Sequence, residues 1–76
     1  MNDKRRQLLH RAVNSLDVAE LLVAQALDEE QDALDSMPEN LEASERYEKM
    51  ETAVELLEEV IENIGAARSE IDEATA

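Results

Sequence analysis

Seventy-six residues, 20 of them Asp or Glu against 7 Lys or Arg, give a net charge of −13 at pH 7 and one small domain at most, a size at which a lone core is marginal without disulfides, metal or oligomerisation. The chain has no Cys and a single His10, which removes disulfides and leaves carboxylates, ligands for hard cations rather than zinc. The acid excess excludes direct binding to nucleic-acid phosphates, which draws its affinity from Lys and Arg displacing counterions.

One Gly, one Pro and one aromatic residue are too few for strands and their turns, so an all-α chain is expected. Asn2 or Asp3 can cap a first helix, predicted over about 3–35. Its stripe has two rows spaced by seven, Leu9, Leu16, Val23 and Glu30, then Ala12, Ala19, Ala26 and Ala33, widened by Val13, Leu27 and Leu34. Alanines beside large residues let a neighbouring helix approach closely.

Pro38 disfavours an α conformation at Met37 and ends the first helix, opening a connection over 36–44. Ser36 and Glu39 fit an S-x-x-E capping box, which predicts a short helical turn inside the connection before Ser44 caps the next helix.

The second helix, predicted over about 45–73, carries the clearest pattern in the chain: Tyr47, Met50, Val54, Leu57, Ile61, Ile64, Arg68 and Ile71 alternate by three and four residues. That is the seam of a helix packed lengthwise on another. The short connection makes the two helices an antiparallel, coiled-coil-like hairpin, with residue i of the first roughly beside residue 81 minus i of the second. The core seam is expected at Leu9, Leu16, Val23, Met50, Val54, Leu57, Ile61, Ile64 and Ile71. Arg68 interrupts it and is expected to pair with Asp17 or Glu20. A neighbouring row, Ala53, Val60, Ala67 and Ala74, makes the stripe too wide for one partner helix, so two hairpins are expected to form a homodimeric four-helix bundle.

Charge divides the hairpin lengthwise. Residues 1–27 carry four bases and three acids, whereas residues 28–59 carry two bases and thirteen acids. The loop end is therefore an acidic pole, suited to a protein partner with a basic surface. Candidate partner-binding residues are Asp28, Glu29, Asp32, Asp35, Met37, Glu39, Leu41, Glu42, Glu45, Tyr47 and Glu48. Acid pairs one turn apart, among them Glu29-x-x-Asp32 and Glu55-x-x-Glu58, also occur in Mg²⁺-dependent all-α nucleotide pyrophosphohydrolases. Any strongly acidic helix produces that spacing, however, and a metal site needs carboxylates converging from facing helices. No cofactor, metal site or catalytic residue is expected. No apolar run approaches the roughly 20 residues that span a bilayer, and a cytoplasmic protein is the expectation.

The stretches Asp35-Ser36-Met37-Pro38-Glu39-Asn40-Leu41 and Ser44-Glu45-Arg46-Tyr47-Glu48-Lys49-Met50-Glu51 resemble a family of small acidic helical proteins of bacteriophages, prophages and mobile elements. The resemblance implies a phage setting in the host cytoplasm and no reaction. Small proteins of that kind commonly bind a host or phage protein, host-defence components included. The expected function is thus a non-enzymatic interaction module, an inhibitor of host defence or a nucleic-acid mimic. The alternatives are the Mg²⁺-dependent hydrolase and a purely structural assembly module.

Overall fold

The computed structural model describes residues 1–41 and 44–76. Two long helices, α1 (Asp3–Asp35) and α2 (Glu45–Thr75), form a hairpin, with a 3-10 turn at Glu39–Leu41 in the connection. Among the described residues there is no strand. The Cα trace measures 59 × 15 × 13 Å with a radius of gyration of 17.3 Å. A compact domain of this length would have about 11 Å.

Both helices start on side-chain caps. Asn2 is extended and its Oδ1 accepts the Arg5 N–H at 2.9 Å; Ser44 is extended and its Oγ accepts the Tyr47 N–H at 3.2 Å. Each satisfies one N–H that has no partner inside its own helix. At the end of α1 the N–H groups of Ser36 and Met37 reach back to the carbonyls of Asp32 (3.0 Å) and Leu34 (3.1 Å), and Pro38 follows. The expected capping box at Ser36 does not form. Ser36 has φ −88° and ψ −3°, the conformation of a helix end rather than the extended one a starting cap needs. The turn begins instead from the Pro38 carbonyl, which accepts the Leu41 N–H at 2.9 Å.

Every expected seam residue lies on the packed side: Val54 is buried, and Leu9, Leu16, Val23, Met50, Leu57, Ile61, Ile64 and Ile71 are half-buried. The second row of α1 in the seam is Val13, Glu20, Leu27 and Leu34, whereas Ala26 and Ala33 are exposed. The 4-3 alternation of Leu9, Val13, Leu16, Glu20, Val23, Leu27, Glu30 and Leu34 mirrors that of α2. The alanine row sits one position to the side.

Arg68 Nε meets Asp17 Oδ1 at 2.8 Å, across the hairpin. This pair puts residue i of α1 beside residue 85 minus i, about one helical turn from the expected register. The first turn of α2 extends past the end of α1, and the first two turns of α1 extend past the end of α2.

This register gives the hairpin two unlike flanks. On one, Ala12, Ala19, Ala26 and Ala33 of α1 lie within a residue of level with Ala74, Ala67, Val60 and Ala53 of α2. On the other, α2 contributes Glu48, Glu51, Glu55, Glu58 and Glu62, all exposed. In antiparallel helices, rows at equal offsets from the two seams fall on the same side, so the sequence spacing alone separates an alanine flank from an acidic flank. Only Val13 and Val54, 8% and 6% exposed, are buried among the described residues. At about 1.5–3 kcal/mol for each fully buried aliphatic side chain, two such residues give a thin core.

Candidate protein-interaction surface

The acidic pole is built from the last turns of α1, the 3-10 turn and the first turn of α2. Asp28, Glu29, Asp32 and Asp35 are exposed on α1, Glu39 and Leu41 on the turn, and Glu45 and Glu48 on α2. Met37 and Tyr47 are half-buried at the same end, and Glu42 lies outside the described residues. Two of these acids have partners on their own helix: Gln31 Nε2 donates to Asp35 Oδ1 at 2.9 Å, and Lys49 Nζ lies 3.2 Å from Glu45 Oε1. Both contacts are exposed, so they position side chains without neutralising the pole as a whole.

The pole continues into the acidic flank. Glu48, Glu51, Glu55, Glu58 and Glu62 recur every three or four residues, a line of carboxylates about 21 Å long with one per helical turn. The sequence places Glu51, Glu55 and Glu58 within the acidic stretch 28–59 but does not say which side of the hairpin they share. The signal was present, because all five fall on one side of the α2 seam, but the direction of that side emerges only when the seam of α1 is fixed. Among the described residues, no three Asp, Glu or His side chains are grouped as a metal site would require. The carboxylates point along one surface rather than toward a common centre.

At the opposite end a groove of about 630 Å³ lies between α1 and α2. Its floor is Leu9, Val13 and Ile71, and Arg6, His10, Arg11, Arg68 and Asp72 are on its walls. Lys4, Arg5 and Arg6 at the start of α1 face a positive helix end, and Glu70, Asp72 and Glu73 a negative one, so each cluster is misplaced on its own helix. The antiparallel packing puts both clusters at the same end of the hairpin, but in this register the first two turns of α1, with Lys4, Arg5 and Arg6, reach past the end of α2 rather than lying beside Glu70, Asp72 and Glu73. Arg6 also lies 3.8 Å from Asp3.

No helix among the described residues is long and apolar enough to cross a membrane. No family model, curated protein or solved structure matches the chain.

Proposed function

We propose that this chain is a non-enzymatic interaction module that works as a homodimeric four-helix bundle and presents its acidic pole and acidic flank to a protein with a basic surface. The observation that carries the reading is the separation of surfaces: exposed carboxylates crowd the loop end and run along α2 on one flank, while the other flank carries the alanine rows with Leu8, Leu22, Leu56 and Val60 exposed beside them. A line of carboxylates that converges on no centre suits electrostatic recognition of a basic surface, or imitation of a nucleic-acid backbone, better than it suits holding a cation for catalysis. The thin core of a single hairpin favours a second copy.

The resemblance around Met37 to Glu51 supports a phage or mobile-element origin, placing the partner in the host cytoplasm, with host-defence proteins as the favoured class. The test is affinity capture from host lysate with the wild type and with Asp32→Lys/Asp35→Lys, whose side chains are exposed and whose fold is checked by circular dichroism. A captured protein with a basic surface, lost with the double variant, supports the reading. Equal capture by both proteins overturns the pole as the binding surface, and turnover of nucleoside triphosphates with Mg²⁺ overturns the non-enzymatic assignment.

A further inference from the structure

We propose that two copies pair through their alanine flanks with the loop ends at opposite ends of the bundle, about a twofold axis that crosses the hairpin near Ala19 and Leu22. Helix α1 then packs on the partner's α1, and α2 on the partner's α2. This rests on the homodimer reading above and adds to it a face, a sense and a register.

The face follows from what each flank offers. The alanine flank is bordered by Leu8, Leu22 and Leu56, at 53%, 62% and 54% exposure, and includes Val60. The whole hairpin face that carries it projects to roughly 900 Å², from Cα extents of 59 and 15 Å. A standard stable interface needs about 800 Å² from each partner. Small side chains allow the close helix approach that such packing requires. Two acidic flanks, by contrast, would set like charges against each other.

The sense follows from charge. Pairing with the loop ends together would put the thirteen acids of residues 28–59 beside the same thirteen of the second copy. Opposite loop ends instead bring Lys4 and Arg5 level with the partner's acidic loop end, and Arg11 level with the partner's Glu29 and Asp32. The cationic start of α1, which reaches past the end of α2, thereby gains an acidic neighbour.

The register follows from size. A single axial offset places Leu8 over the partner's Ala33, Leu22 over the partner's Ala19 and Leu56 over the partner's Ala74, each within about one residue, or 1.5 Å along the helix. Large side chains meet small ones in all three places, the alternation that lets two surfaces interdigitate. In this arrangement both acidic flanks face outward, and each dimer presents two equivalent acidic poles at its far ends.

Two measurements decide it. Sedimentation equilibrium compares the wild type with Ala26→Glu and Val60→Glu on the alanine flank, and with Leu21→Glu, which is 71% exposed on the other side of α1. All three positions are exposed in the hairpin, so circular dichroism should find its helicity kept. The first two should weaken dimerisation by about tenfold or more through a desolvated, unpaired charge, and the third should change it much less. The chain has no Cys, so Ser36→Cys carries a single spin label on each copy. The expected label separation is about 45 Å, from 1.5 Å of rise per residue. A wild-type monomer at micromolar concentration overturns the homodimer reading and this inference with it. A dimer weakened equally by Leu21→Glu and Ala26→Glu overturns the face alone, and a label separation under about 20 Å, a few helix diameters at most, overturns the sense.

Discussion

Arg68 and Gly65, less than one turn apart in α2, work against its stability in different ways. Arg68 occupies a seam position where an aliphatic residue would bury more surface, and its guanidinium pairs with Asp17 across the hairpin. Both side chains are 46% exposed. A pair so open to water contributes under about 1 kcal/mol, so its use is to mark register rather than to hold the helices together. Gly65 costs backbone entropy in mid-helix, and a Cβ built there meets nothing within 4 Å. Its backbone is helical, with no positive φ to require glycine. Gly65→Ala should therefore stabilise the hairpin by about 0.5–1 kcal/mol. In a chain this short that raises the thermal midpoint by several degrees, roughly 4–8 °C per kcal/mol. Gly65 lies on the acidic flank, away from the proposed dimer face, so the gain should appear without a change in association. A thermal melt with a lower midpoint for the variant would mean that another molecule packs against that position.

Helix identity and limits were legible in the sequence because local signals agreed: caps at Asn2 and Ser44, Pro38 after the first helix, and an unbroken 3-4 alternation in α2. The Arg68–Asp17 pair was legible too, since a seam arginine on an antiparallel hairpin has few acids within reach. The seam of α1 was harder to read. Its rows at Val13, Glu20, Leu27 and Leu34 and at Ala12, Ala19, Ala26 and Ala33 are adjacent, and glutamates in the true seam weaken the contrast between them. Register was misplaced by about a turn because it depends on how the connection folds, and Ser36 carries both a cap-forming hydroxyl and a backbone suited to ending a helix. The acids of α2 are legible as part of the acidic stretch 28–59, but the flank they share is not, because which side of α2 it occupies has meaning only relative to the partner helix. The seam itself supplies the prediction at this scale. Leu57 is half-buried at its centre, so Leu57→Asp should cost about 2–4 kcal/mol by placing an unpaired charge against Leu27 and its neighbours. With only two residues buried among those described, that loss should remove most of the helical signal at 222 nm. Retention of full helicity would show that the helices persist without their mutual contact.

For the whole molecule, net charge acts in opposite directions on folding and on the proposed partner binding, and this gives a test that needs no mutation. Folding gathers the described acids of residues 28–59 at one end of a hairpin about 15 Å across, and their mutual repulsion opposes the compact state. Salt screens exposed charges over about 10 Å at 0.1 M and about 3 Å at 1 M, so raising it from about 50 to 300 mM should raise the thermal midpoint. The same change should slow and weaken association with a basic partner, because opposite charges steer the encounter and are screened alike. Stability and affinity should then move apart along one salt series, the first read by thermal melts and the second by binding kinetics. If binding instead depends on Met37 and Tyr47 at the loop end, affinity should stay nearly constant while the midpoint still rises, since burial of apolar surface carries no such screening. Glu70→Lys provides the internal comparison. It changes net charge as much as any single reversal but lies at the end of the hairpin where acids and bases already offset each other, so it should affect binding much less than Asp32→Lys. Equal losses would mean that total charge, rather than the surface of the acidic pole, governs recognition.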